Sequence, residues 1–271
     1  MLENILEKIE TLPPLPQTIE EIDTFRKKQN KEVDELVKII EKDALVITTL
    51  LKVSNSSLFG FRSKVESVSR VINLLGINFT VYVTISETIN NILSTDLSPY
   101  DIKSEDFMKA STASSNLVNL WLGKVNNELK DEVLLASILQ ETGKFILSEL
   151  IISRNLTQDF TKLLQDGKDT KDAEKELLNI TTSQVTAEIF KYWKLSAELI
   201  NIIRFVDDIN NCPTEYKQKA QILDVIKTAC QANSLLSENS VEKALKKAEN
   251  YGLEIEPLKK AIQTLQERLL D

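Results

Sequence analysis

The sequence contains no histidine among its 271 residues. Imidazole is a common metal ligand and the side chain that titrates closest to neutral pH, so its absence excludes metal and acid–base sites built on histidine. The two cysteines, Cys212 and Cys230, have neither CxxC nor zinc-ligand spacing. We interpret them as unpaired thiols of a reducing compartment. We therefore predict neither a bound transition metal nor a cofactor.

Glycine and proline are scarce, with six of each. A barrel or sandwich of many short strands needs more turn residues than that, whereas Leu, Ile, Glu and Lys are prominent and mostly favour helix. The sequence also lacks an apolar run near the ~20 residues that span a bilayer, and its acidic N-terminus does not resemble a secretory signal. These features predict a helical, cytoplasmic protein that does not bind membranes.

Positive charge is in deficit, since 33 basic residues face 41 acidic ones and the net charge is −8. A field of this sign repels phosphate backbones at long range. We therefore expect no nucleic-acid partner, and a salt-dependent gel shift would reveal one. Hydrophobic residues make up 42% of the chain, which is enough to form a core in one large domain or in two lobes.

Apolar residues recur along most of the chain at the i, i+3, i+4 and i+7 positions of half-buried helices. Ser63 and Glu66 have the spacing of a capping box before one of them, and Gly76 is placed to end that helix. Residues 81–85 are rich in β-branched side chains, but neither Gly nor Pro interrupts the surrounding run. We predict a buried helix there.

Pro99 marks a break in the helical pattern. We place a lobe boundary there, between an N-terminal helical lobe of residues 1–100 and a second helical lobe of residues 101–271 with a C-terminal helical extension.

Four segments carry further motifs: LPPLP at residues 12–16, IIEKDAL at 39–45, LLKVSNSSLFG at 50–60, and a helix at 68–76 that ends in Leu-Gly. In this order they resemble an HDOD domain, a bacterial signalling module related to the HD phosphohydrolases. The resemblance covers about residues 12–207. It implies an all-α, multi-helix fold in which the N-terminal lobe packs on a degenerate HD-like lobe.

HD enzymes hold metal ions with imidazoles and a carboxylate. The positions that resemble those ligand positions are Ala110, Gln140, Glu141, Thr182, and Val206 or Asp207. Apart from the two carboxylates, these side chains are poor ligands or none, so the resemblance implies no catalytic and no metal-binding residue. Two interpretations of Glu141 stay open: a residual ligand for a hard cation, which Asp207 and Asp208 join only if the fold brings them close, or a helix residue that is hydrogen-bonded near Lys144 or solvated.

The loop that begins at Asn55 carries Phe59 and Phe61 on either side of a glycine. Aromatic side chains on a loop can anchor a partner, and these three residues are our candidate partner-binding site. The alternative is that the rings fold back and fill a gap between helices.

The resemblance implies a non-enzymatic signal-transduction module that binds a regulatory protein, in a family linked to motility and second-messenger pathways. Two alternatives stay open. One is a small-ligand sensor whose vacated metal pocket takes a nucleotide, which a thermal-shift panel would detect. The other is a phosphohydrolase whose metal is held by carboxylates alone, whose activity Glu141→Gln would abolish.

Overall fold

The structure, a computed structural model, describes residues 2–26, 28–55, 61, 63–93 and 95–270. These residues contain α-helices, two short 3₁₀ helices and no strand, which confirms the predicted all-helical fold. The α-helices, numbered α1 to α16 in chain order, are Leu2–Glu10, Gln17–Arg26, Val33–Ile40, Ala44–Ser54, Val68–Leu75, Ile77–Ile92, Ser104–Leu122, Asn127–Leu139, Gly143–Ser153, Thr157–Gln165, Thr170–Leu178, Thr182–Tyr192, Ala197–Arg204, Thr214–Ala229, Glu238–Asn250 and Ile255–Leu270.

The chain forms two compact units. The first contains the residues up to Leu12 together with Leu93–Thr264, and the second contains Pro13–Ile92 and the residues from Leu265 onward. Helix α1 belongs to the first unit, where it packs on α9 and α12. The sequence-based division into residues 1–100 and 101–271 groups α1 with the helices that follow it, and it stays a prediction.

The first unit is held together by helix pairs: α7 packs on α8, α9 on α12, α12 on α13, and α14 on α8 and α15. Local signals fix where two of these helices begin. Asn126 caps α8 by accepting a hydrogen bond from the Leu129 amide at 3.0 Å, and Thr181 and Gln184 form a reciprocal capping box at the start of α12. The largest fully buried side chains of this unit are Tyr100, Trp121, Phe160 and Phe190.

The second unit contains α2 to α6. Ser67, rather than Ser63, caps α5, because its hydroxyl accepts a hydrogen bond from the Arg70 amide at 3.2 Å; the predicted capping box is therefore wrong. Gly76 ends α5 as predicted, with φ of +82°, a conformation that side chains rarely adopt. The helix predicted at residues 81–85 is confirmed, since it lies inside α6 and is buried.

In the described part of the chain, no single helix is both long and apolar enough to cross a bilayer. Helices α5 and α6 reach that length only together, and they are bent by 119° where they meet.

Candidate functional site

The positions that resemble HD ligand positions all lie in the first unit, on or beside α7, α8, α12 and α13. Three of them, Ala110, Gln140 and Glu141, line the same cavity. Thr182 and Asp207 also have polar side chains. Thr182 contacts Glu174, and Asp207 contacts Lys227; neither of these two partners was identified from the sequence. Val206 is buried and offers no polar side-chain atom.

Lys227 of α14 joins the two carboxylates of this set. Its Nζ lies 2.9 and 3.1 Å from the two carboxylate oxygens of Asp207 and 3.2 Å from Oε1 of Glu141. Asp207 also accepts a hydrogen bond from the Ser183 hydroxyl at 2.7 Å. Burial alone would raise the pKa of Asp207, but the charge and hydrogen bonds of Lys227 outweigh it and hold that pKa well below its usual range. Asp207 is therefore ionised at neutral pH.

Lys144, in the first turn of α9, contacts Glu141 from the other side. Its Nζ also lies 5.5 Å from the centroid of the Tyr100 ring, within the range of a cation–π interaction. Burial, followed by the nearby charge of Lys227, lowers the pKa of Lys144 to about 7. Glu141 thus contacts two lysine side chains, one through each carboxylate oxygen.

A third carboxylate, Glu174 of α11, is fully buried beside them. It accepts hydrogen bonds from the Tyr100 hydroxyl at 3.0 Å, the Thr182 amide at 2.7 Å and the Thr182 hydroxyl at 2.5 Å. Burial raises the pKa of Glu174, and the charges of Lys144 and Lys227 oppose that rise. Thr182 is therefore a hydrogen-bond donor that holds this carboxylate in place. We call Glu141, Glu174, Asp207, Lys144 and Lys227 the charged cluster.

Little free space remains beside Glu141, Lys144 and Lys227 of the charged cluster. The cavity lined by Gln140, Glu141, Lys144, Lys227 and Cys230, among others, has a volume of ≈ 10 Å³, close to the minimum needed for one water molecule. Gln140 Oε1 is buried and has no hydrogen-bond partner among the described residues. Burial raises the pKa of the Cys230 thiol to about 12, so this thiol is neutral and supplies no thiolate to the cavity.

A close helix contact sets the position of Lys144. The Gly143 amide donates a hydrogen bond to Oγ1 of Thr186 at 2.8 Å, which brings the start of α9 against α12. A Cβ on Gly143 would lie 2.4 Å from the Thr182 carbonyl oxygen and 2.8 Å from the Thr186 nitrogen. Only glycine fits, and the next residue, Lys144, is thereby directed to Glu141.

The sequence as a whole matches a known family over most of its length. The profile of the HDOD domain matches residues 12–209 of the 271. The chain belongs to the HDOD domain family. Within this HDOD protein, α14 and Lys227 lie after the end of the matched stretch.

A curated relative and two solved structures extend this comparison. An uncharacterised protein of Treponema pallidum is 22% identical over 219 residues, which are 79% of the HDOD chain, and the chain spans only 41% of that relative's length. A candidate phosphohydrolase from Shewanella amazonensis superposes with a TM-score of 0.68 at 18% identity, over 97% of this chain and 93% of the other. A candidate signal transduction protein from Marinobacter aquaeolei gives 0.71 at 18% identity, over 98% and 58%. At these identities the structural likeness shows the fold.

The charged cluster does not fit the metal centre that the related HD enzymes use. In the described part of the HDOD chain, no group of three or more acidic or cysteine side chains is arranged to hold a metal ion. Two of the three carboxylates contact a lysine ammonium directly instead, Glu141 and Asp207. A divalent cation beside these ammonium groups would meet like-charge repulsion in a poorly solvated site. The assignment of individual residues to HD ligand positions stays a prediction from the resemblance.

The candidate partner-binding residues belong to the second unit. Phe59 lies outside the described residues, and Phe61 is half-buried. Asn55 closes the loop: its amide nitrogen donates to the carbonyls of Leu51 at 2.7 Å and Val65 at 2.8 Å, and its oxygen accepts from the Val65 amide at 2.8 Å. Asn55 thus has a structural role in this loop, and its role in partner binding stays a prediction.

Proposed function

We propose that this HDOD protein is a non-enzymatic signal-transduction module that acts by binding a regulatory protein. The observation that carries the proposal is that Lys227 bridges Glu141 and Asp207, while Lys144 contacts Glu141 from the other side. Internal ion pairs thus take up the oxygens that metal-dependent hydrolysis would need. A domain of this family without a usable metal centre acts through its surfaces.

Hydrolysis by a carboxylate-held metal is disfavoured for the same reason. A metal ion that activates water needs ligand oxygens and an open coordination position. In this cluster the oxygens of Glu141 and Asp207 lie about one hydrogen-bond length from ammonium nitrogens. Binding a metal would break buried ion pairs and leave their lysines uncompensated, which costs about 3–5 kcal/mol for each broken pair.

A nucleotide sensor that uses this cavity is disfavoured by size. Pockets for drug-sized ligands have volumes of about 300–1,000 Å³, and the cavity lined by Glu141, Lys144 and Lys227 has ≈ 10 Å³. Of the lining side chains, Glu141, Lys144 and Lys227 are held by the ion pairs described above. A nucleotide would have to displace Lys144 and Lys227 before it could enter.

The names of the structural relatives point in two directions, signal transduction for one and phosphohydrolase for the other. An activity assay separates them. Untagged protein would be incubated with phosphomonoester and phosphodiester substrates and with Mn²⁺, Mg²⁺, Fe²⁺ or Ni²⁺ in turn. We expect no hydrolysis above background. Metal-dependent hydrolysis that Glu141→Gln abolishes would contradict the proposal.

The binding half of the proposal has its own experiment. Crosslinking in native lysate followed by mass spectrometry would identify a partner, and capture of the purified partner would then be compared between variants. We expect Phe61→Ala to fold normally and to lose capture. Leu45→Ala is the matched control, because Leu45 is 62% exposed in the same unit and lies outside the loop. If the two variants capture the partner equally, the loop is not the binding site.

A further inference from the structure

The lysine that bridges the charged cluster comes from a helix beyond the family match. The HDOD profile ends at residue 209, and α14 begins at Thr214. Lys227 lies in the last turn of α14, where the helix dipole favours a cation. Its side chain is 14% exposed and its Nζ lies within 3.2 Å of three oxygens from Glu141 and Asp207. The segment after the family stretch therefore completes the site electrostatically.

The oxygens around this ammonium are of the kind that bind hard divalent cations, which take carboxylate and amide oxygens as ligands. Gln140 lines the same cavity as Glu141 and Lys227, and its side-chain oxygen is buried and has no hydrogen-bond partner among the described residues. An unpartnered buried oxygen in the cavity that Glu141 and Lys227 line is a feature that ion pairing alone does not explain.

We propose that Lys227 is the built-in cation of this site. Its ammonium occupies the place between Glu141 and Asp207 that a hard divalent cation would otherwise take, and loss of its charge converts the cluster into a site for Mg²⁺, Ca²⁺ or Mn²⁺. Lys227 is the lysine that contacts both Glu141 and Asp207. Without its ammonium, Asp207 loses this ion pair, Glu141 keeps only its contact with Lys144, and the positive charge of the cluster falls by one.

Two observations single out Lys227 rather than Lys144. Lys227 bridges carboxylates from two different segments, whereas the ion pair of Lys144 is to Glu141, three residues before it. Burial would lower the pKa of Lys227, but Asp207 and Glu174 outweigh it and the pKa is raised, while the pKa of Lys144 is lowered to about 7. Lys227 is thus the permanent cation.

The geometry requires only a small adjustment. The Nζ–oxygen distances are 2.9 to 3.2 Å, and Ca²⁺–oxygen distances are about 2.3–2.6 Å. Each carboxylate would move inward by less than about 1 Å to hold Ca²⁺ in place of the ammonium. Lys227→Gln removes the charge and adds an amide oxygen on a side chain that is one bond shorter, which leaves room for a cation at the position of Nζ.

The experiment measures the unfolding temperature of untagged, full-length protein by circular dichroism in EDTA and then with 10 mM Mg²⁺, Ca²⁺ or Mn²⁺. We expect no cation effect on the parent. Lys227→Gln should unfold at a lower temperature in EDTA and should recover about 3–6 °C with at least one cation, for a dissociation constant near 1 mM. Lys227→Arg retains the charge and should show no recovery.

The matched control is Lys247→Gln. Lys247 donates to Asp224 of α14 at 2.6 Å, so this variant also removes a lysine from a buried carboxylate, but outside the cavity. It should be destabilised without cation recovery. Adding Asp207→Asn to Lys227→Gln should abolish the recovery. Folded Lys227→Gln protein with the same unfolding temperature in every cation, or a chain that stays unfolded in all of them, would overturn the proposal.

This inference rests on the proposed function in one respect, namely that the charged cluster of the parent protein binds no metal ion. The inference and the proposed function can nevertheless be refuted separately. If the unfolding temperature of Lys227→Gln does not change with any cation, the role of Lys227 as a built-in cation is refuted, but the proposed protein-binding function is not. Metal-dependent phosphatase activity of the parent, measured in the separate assay, refutes the proposed function directly.

Discussion

Glu87 carries a buried carboxyl whose ionisation should weaken the second unit as the pH rises. It lies on α6 with 2% of its surface exposed. Burial raises its pKa from 4.5 to about 7, against an opposing effect of the Lys52 charge. Between pH 4.5 and about pH 7 the Glu87 carboxyl keeps its proton in the folded chain and loses it in the unfolded chain. Stability is therefore full below pH 4.5, falls as the pH rises towards 7, and levels off above it.

The size of the effect follows from the shift. Each pKa unit corresponds to 1.36 kcal/mol, so a shift from 4.5 to about 7 costs the folded state about 3 kcal/mol once Glu87 is ionised. Glu87→Gln has nearly the same shape and does not titrate. We expect the stability advantage of this variant over the parent to grow by about 2.5 kcal/mol between pH 5 and pH 8.

Urea unfolding followed by far-ultraviolet circular dichroism at pH 5, 6, 7 and 8 would measure this difference. Glu20→Gln is the control, because Glu20 belongs to the same unit and is exposed. Its stability should follow that of the parent at every pH. If Glu87→Gln and the parent also change in parallel, Glu87 ionises alike in both states and the reasoning from burial is wrong.

Three further predictions concern single residues. Gly143→Ala should lower the free energy of unfolding by about 1–3 kcal/mol, measured by urea titration, because its Cβ would lie 2.4 Å from the Thr182 carbonyl oxygen; an unchanged midpoint would contradict the close contact. Asn55→Ala should cost about 1–3 kcal/mol, because it loses hydrogen bonds to both backbone groups of Val65, and Asn55→Asp should retain part of that stability. Gln140→His alone should produce no metal-dependent phosphodiesterase activity, because one imidazole does not supply a ligand set; hydrolysis well above the parent's would show a nearly intact site.

The helical fold could be predicted because its signals are local. The heptad-like spacing of apolar residues and the scarcity of Gly and Pro act within a few turns of helix, and the buried helix at residues 81–85 followed from them. The cap of α5 was misjudged for an equally local reason. Ser63 is followed three residues later by Glu66, the type of partner that a capping box requires, whereas Ser67 is followed by Arg70. The helix nevertheless begins after Ser67, because its start depends on where the preceding loop allows the helix to begin.

The charged cluster could be predicted only in part. Glu141 and Asp207 came from the family resemblance, but their partner Lys227 lies in a segment without that resemblance, and no short-range pattern links it to them. Glu174 lies in α11, whose sequence TKDAEKELL is rich in charged residues. Such a sequence predicts a solvent-exposed helix face. The only local sign of its burial is that it shares a helix face with Leu178, four residues on, which is also buried.

The contacts of Lys227 connect the family stretch with the helices that follow it. Asp207, inside the match, is ionised and has 4% of its side chain exposed, and without α14 it would have lost its ammonium partner. An uncompensated buried charge costs about 3–5 kcal/mol, a large fraction of the stability of a typical domain. The HDOD stretch of residues 12–209 is therefore electrostatically incomplete, and α14 stabilises it by supplying the missing positive charge. If Lys227 is the built-in cation proposed above, one residue links the stability of the fold to the exclusion of metal.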